Sequence, residues 1–253
     1  MVGIEGLRRA GGALDRPLAW ASVTKLLTAV AVHVACEEGT LALDQPAGPP
    51  GSTVAHLLAH ASGLATDGRE PLAPPGTRRI YSNAGFEVVA EALADAAGLA
   101  FRTYLEESVL APLGMSATRL EGSPAAGAVG PTCDLALLAA ELLTPTLVSP
   151  ETALLLRSVA FPGIDGVLPG FGQQRPNDWG LGAEVRGTKA PHWTAPDGSP
   201  ATFGHFGRAG GFCWVDPEAG VACAVLTDRP FGPWARQAWP ALGSAVLAAD
   251  GAG

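Results

Sequence analysis

The chain has 253 residues, of which 47% are apolar and 16% charged, and its net charge is −8. That balance argues against nucleic acid and anionic membranes as partners, because both reward clustered Lys and Arg. No apolar run reaches the 18 residues of a transmembrane span, and Met1–Arg9 lacks an apolar signal-peptide stretch, so a cytoplasmic location is the default.

Residues 1–20 carry Gly11-Gly12 and Pro17 and leave room for at most one strand. A nearly all-apolar helix over 22–38 follows, stopped at Gly39. Ser52 or Thr53 caps a short helix over Val54–His60. Beyond a Pro-rich loop, Val88, Val89, Ala92, Leu93, Ala96 and Ala97 recur at helical spacing and define a helix over 84–97, stopped by Gly98, with Asn83 as a cap. Shorter helices are expected at 101–109, at 134–143 and at 150–159, the last with Ser149 as cap and Pro150 in first position. Residues 160–178 read as loop. The period then changes to two, giving strands at 180–185, 201–205, 212–215 and 221–227 and a closing helix over 234–249 that bends or restarts near Pro240. Helices first and an antiparallel hairpin last indicate an α+β fold with the opening helix packed on the sheet.

Cys36, Cys133, Cys213 and Cys223 show no C-x-x-C spacing, so neither zinc nor thioredoxin chemistry is indicated and no cofactor is expected. Cys213 and Cys223 are placed facing each other across the last hairpin, as thiols. His33 reads as a core imidazole, and His56 and His60 as structural groups.

The stretch with chemical content is Ala21-Ser22-Val23-Thr24-Lys25. Residues three apart on a helix share a face, with Cβ atoms roughly 5–6 Å apart. A hydroxyl and an amine therefore point into one space, at a helix N-terminus that favours negative charge. A buried Lys there is under pressure to lose its proton and can activate the serine. A plain reading of the same residues is an N-cap Ser beside a solvated Lys.

Further motifs accompany it: Leu57-Leu58-Ala59-His60-Ala61-Ser62-Gly63-Leu64, Tyr81-Ser82-Asn83, Pro112-Leu113-Gly114-Met115, and Gly204-His205-Phe206-Gly207 with Gly210-Gly211-Phe212. Together, and in this order, the set resembles the serine β-lactamase and penicillin-binding-protein superfamily, closest to its class C and esterase branch. The resemblance implies an antiparallel sheet flanked by helices plus a mostly helical lobe. One β-lactamase-like domain would then cover 1–253, its helical lobe about 40–178 and its sheet-bearing lobe about 1–39 and 179–253. It also implies Ser22 as the acylated nucleophile, Lys25 as its base partner and Tyr81 as a second base or as the acid that protonates the leaving group. Asn83 would hold the substrate amide or Lys25, and His205 takes the place of the third motif's cation. The oxyanion hole would be the N–H groups of Ser22 and of Arg208, the residue after Gly207. A phenol near the Lys ammonium is expected to ionise easily.

Phe206 stands where the family usually has Thr or Ser, which replaces a donor for a substrate carboxylate by an apolar ring. A small neutral ester or amide is therefore expected as substrate ahead of a lactam or a D-Ala peptide. The alternative from another class is a relative that keeps the fold as a scaffold. The region before Ser22 is too short for the two strands that family members place beside the last strand, so Val221–Leu226 would be an exposed edge. Either residues 1–10 form one improvised strand there, or two copies pair through it as a homodimer.

Overall fold

In the computed structural model, which describes residues 1–3 and 6–250, three very short strands precede the first helix: β1 (Val2–Gly3), β2 (Gly6–Leu7) and β3 (Leu18–Ala19). The expectation of at most one strand in residues 1–20 is corrected. A two-residue strand carries no period, so its pairing is decided by the neighbouring strand. Ala21–Val23 forms a 3-10 turn that feeds α1 (Thr24–Glu37). Every α1 residue from Thr24 to Ala35 is buried, as the all-round apolar pattern requires. His33 is a core imidazole, with Nε2 2.8 Å from the Leu181 carbonyl oxygen.

After α2 (Val54–Leu58) comes α3 (Asn83–Ala97). Its cap is Ser82, not Asn83: Ser82 Oγ accepts the Gly85 N–H at 2.9 Å, and Gly98 closes the helix at φ 65°. Asn83 is thereby relieved of capping and its amide is available elsewhere. Next are α4 (Phe101–Leu105), which runs on as a π-turn over Glu106–Leu110, then β4 (Arg119–Leu120), β5 (Ala128–Gly130), α5 (Thr132–Leu143) and α6 (Pro150–Arg157). Ser149 Oγ caps α6 through the Thr152 N–H at 3.2 Å.

Residues 160–178 are not all loop, since β6 (Gly166–Leu168) and β7 (Gly172–Gln174) form a hairpin there. Its glycines mask any alternation of side chains, and Gly170 takes φ 79° in the turn. The remaining elements are β8 (Glu184–Val185), β9 (Phe203–Phe206), β10 (Phe212–Asp216), β11 (Val221–Val225) and α7 (Pro233–Asp250), which continues through Pro240.

The main sheet has the order β2-β1-β11-β10-β9-β8 and is antiparallel. β1 covers part of the β11 edge, pairing Val2 with Ala222 and Gly3 with Val221. Side chains alternate across a strand. Cys213, Val215 and Ala222 accordingly join the core shared with α1 and α5, while Phe212, Trp214, Val221 and Cys223 pack with Ala235 and Trp239 of α7. Cys213 pairs with Ala224 and Cys223 with Trp214, so the two thiols lie on opposite faces instead of facing each other.

Candidate active site

Ser22 is held in place by strain and by close backbone contact. Ala21 has φ 46°, a conformation that costs a non-glycine residue roughly 1–2 kcal/mol, and it turns the chain sharply ahead of Ser22. Thr24 Oγ1 donates to the Ala21 carbonyl at 2.6 Å and accepts the Ala128 N–H at 3.0 Å, fixing the turn against β5. On the other side stands Gly207, just past β9. A Cβ there would lie 2.4 Å from the Trp20 oxygen and 3.2 Å from the Ser22 nitrogen, so only glycine lets β9 approach this closely.

Lys25 is 0% exposed. Its Nζ donates to Asn83 Oδ1 at 2.7 Å and to the Ala125 carbonyl at 2.9 Å, and sits 4.7 Å from the centre of the Tyr81 ring. Burial lowers its pKa to about 7, against the pull of Asp67 and Glu87. Close to neutral pH a large share of Lys25 is thus a free amine. The Asn83 amide continues the chain outward, its Nδ2 donating to Asp67 Oδ1 at 2.7 Å.

Tyr81 behaves opposite to the expectation of an easily ionised phenol. Burial drives its pKa upward, and the neighbouring Ser22 hydroxyl lowers it only in part. The Tyr81 oxygen is buried, and among the described residues no donor or acceptor meets it with hydrogen-bond geometry. Desolvation outweighs the pull of the Ser22 hydroxyl, and the Asp67 carboxylate adds to the rise. Tyr81 is a neutral phenol and can give a proton but does not hold one as a base. Its ring leans on His60 at 4.6 Å and faces His205 at 5.8 Å. His60 is structural, as expected: its Nδ1 accepts the Ser82 N–H at 3.1 Å, and its pKa lies well below the ordinary value through burial and then the Lys25 charge.

His205 does not supply a cation. Burial and then the Lys25 charge lower its pKa to about 3, and Nδ1 donates to the Phe206 carbonyl at 2.7 Å. Nε2 is left as a buried acceptor with no partner among the described residues. The Arg208 N–H likewise meets no backbone acceptor among the described residues, while its carbonyl accepts the Phe231 N–H at 3.0 Å.

These groups converge. Ser22, Tyr81, Asn83, His205 and Arg208 line one cleft of about 290 Å³ together with Thr66, Asp67, Leu168, Trp179, Glu184, Phe206 and Phe231. Lys25 lies behind Asn83, and Gly207 presses on the Ser22 backbone. Asp67, Trp179, Glu184 and Phe231 escaped the sequence reading. Glu184 is a buried carboxylate bound to Lys189 at 2.5 Å and to His192 at 2.9 Å. Burial opposes its charge, but His192 and Lys189 overrule this and hold its pKa down. Arg79, 2% exposed, was missed too; it donates to the carbonyls of Ala59, Ala160, Phe161 and Asn177 and ties the segment before Tyr81 to the β6–β7 region. Nothing in a lone Arg or Glu announces such burial.

Comparison with known proteins identifies the fold and the family. A crystal structure of a beta-lactamase from Mycobacterium bovis is 54% identical, covers 98% of this chain and 93% of its own, and superposes with a TM-score of 0.97. The unliganded selenomethionyl simvastatin synthase LovD from Aspergillus terreus shares the fold at 17% identity, with a TM-score of 0.83 over 98% of this chain and 92% of its own. The D-alanyl-D-alanine-carboxypeptidase/endopeptidase AmpH of Escherichia coli K12 is 29% identical over 44% of this chain, and the match spans only 38% of AmpH. The beta-lactamase family model matches residues 14–247, and with that coverage the chain belongs to the beta-lactamase family.

Proposed function

We propose that this chain is a serine hydrolase acting through an acyl-Ser22 intermediate on small neutral esters or amides. The observation that carries the reading is Lys25, fully buried and donating to Asn83 Oδ1 at 2.7 Å, where burial lowers its pKa to about 7. A scaffold has no physical need for a desolvated amine in that place.

Ser22 Oγ attacks the substrate carbonyl carbon while the free Lys25 amine takes the hydroxyl proton, and the N–H groups of Ser22 and Arg208 receive the oxyanion. One such donor is worth roughly 10²–10³ in rate at other acyl-transfer sites. Collapse breaks the bond to the leaving group, which takes a proton from the neutral Tyr81 phenol, with Lys25 returning one to Tyr81. Water then attacks the acyl carbon by the same route and releases the acid and Ser22 Oγ–H. Neutral substrates fit because Phe206 offers no donor and the His205 imidazole is uncharged.

Lactam hydrolysis is the second reading, favoured by the 54% identity to a protein described as a beta-lactamase. A panel of p-nitrophenyl esters, nitrocefin and a D-Ala-D-Ala peptide, with Ser22→Ala alongside, decides between them. Ester turnover and a fluorophosphonate adduct that both vanish in the variant support the proposal. Turnover of nitrocefin alone supports the second reading, and neither turnover nor adduct would leave a scaffold.

A further inference from the structure

Asp67 sits at the mouth of the cleft on a loop that the N-terminus of α3 holds in place. The Thr66 carbonyl accepts the N–H groups of Asn83 at 2.7 Å and Ala84 at 3.2 Å, and Ser82 Oγ donates to the Ala65 carbonyl at 2.6 Å. Three contacts to the backbone of Ala65 and Thr66 thus hold the start of the Asp67 loop beside Asn83, and the Asp67 carboxylate reaches the amide through its own bond. An ionised carboxylate can only accept, and an amine holding a proton toward its partner must donate. Between Asp67 and Lys25, the Asn83 amide has a single orientation that satisfies both ends, with Nδ2 toward Asp67 and Oδ1 toward Lys25. Were the amide turned over, Oδ1 would face the carboxylate, two acceptors at hydrogen-bond distance with no proton between them.

The charges around Lys25 make Asp67 distinctive. From α3 comes Glu87, whose Oε1 accepts from Ser123 Oγ at 2.8 Å and so faces away from the cleft lining. His60 and His205 couple to Lys25 as imidazoles whose pKa values its charge lowers, and Tyr81 presents a neutral ring. Among the described residues that line the cleft, the acids are Asp67 and Glu184, and Glu184 is neutralised by Lys189 and His192. Of these two acids Asp67 is the exposed one without an ion pair among the described residues, and Arg208 is the cation of the same lining.

We propose that Asp67 is a positioning and specificity-determining residue: it fixes the Asn83 amide so that Oδ1 holds Lys25, and its charge at the cleft mouth selects against acyl donors that carry a carboxylate. The inference rests on the acyl-Ser22 reading for its substrate half and on the Asp67–Asn83–Lys25 chain for its positioning half.

Asp67→Asn is the test, with Asp67→Glu as the charge-preserving control. The substrates are a matched pair, p-nitrophenyl butyrate and p-nitrophenyl hemisuccinate. In the wild type the ratio of kcat/KM favours butyrate, and added salt narrows the preference by screening. Asp67→Asn is expected to reduce the ratio by about threefold to tenfold, for a unit charge at this range in a partly solvated cleft. The acid limb of the kcat/KM profile should move to lower pH, since Lys25 loses an attractive charge. Asp67→Glu should keep both near wild type. Independently of turnover, the Lys25 ε-carbon is followed by NMR titration, and its midpoint should fall in Asp67→Asn. A folded Asp67→Asn with unchanged ratio, limb and midpoint overturns the inference. If no ester is turned over by the wild type, the hydrolase reading fails by itself, and the NMR midpoint alone decides the positioning half.

Discussion

Replacing Lys25 by Met should make the protein more tolerant of lower pH while removing its chemistry. In the fold the amine titrates at about 7, against 10.5 for an unperturbed Lys, because burial penalises the ammonium. Between about pH 7 and 10.5 the unfolded chain therefore binds more protons at this residue than the folded one, so the wild type gains stability as pH rises through that window. A difference of about 3.5 pH units corresponds to up to about 5 kcal/mol, present in full as a penalty below pH 7. Between pH 7 and pH 9 the linkage recovers about 2 kcal/mol of it. Lys25→Met lacks this dependence. Its own costs, the orphaned Asn83 Oδ1 and Ala125 oxygen at about 1–3 kcal/mol each, are nearly independent of pH and cancel in the comparison. Urea denaturation of both proteins at pH 7 and pH 9 reads the double difference directly, and the wild type should gain about 2 kcal/mol more than the variant. Parallel behaviour would refute the reasoning. The lysine would then enter the fold as an ordinary ammonium and could not accept the Ser22 proton at neutral pH.

Tyr81→Phe is expected to lower kcat on a poor leaving group by about 10²-fold or more, while an activated aryl ester, which leaves without a proton, loses much less. Equal losses on the two substrates would remove Tyr81 as the acid. Gly207→Ala forces a methyl carbon to 2.4 Å from the Trp20 oxygen and should push β9 off the Ser22 turn, costing about 1–3 kcal/mol in denaturant melts and most of the esterase rate; an active, equally stable variant would contradict the close approach. Glu184→Gln leaves the buried Lys189 unpaired and should cost about 3–5 kcal/mol at neutral pH by the same melts. A near-neutral result would mean that Lys189 finds its charge balance elsewhere.

The helical part of the fold was legible because its signals are local. The apolar run after Ser22, the 3.6 period of α3, the Ser149-Pro150 start of α6 and the Gly98 stop each depend on residues within one or two turns. β10 and β11 were equally plain as short apolar runs on either side of a segment rich in turn residues. The short strands β1 to β8 were only partly visible. Two or three residues hold no period, and whether such a piece pairs is settled by a partner distant in sequence, as Leu18–Ala19 pairs with Val129–Gly130.

Ser22, Lys25, Tyr81, Asn83, His205 and Arg208 could be picked out as reactive types in a familiar order, and all but Lys25 line one cleft, with Lys25 hydrogen-bonded to Asn83 behind it. What each would be as an acid or base could not be read there. Ionisation is set by desolvation and by neighbours distant in the chain, such as Asp67 and Glu87 acting on Lys25. So it was the tertiary structure that held Tyr81 as a neutral phenol, left His205 an uncharged acceptor and brought Asp67 to Asn83. The sequence by itself determined which functional groups are available and which helices carry them. Packing decided how much water each group retains, and with it where every proton sits.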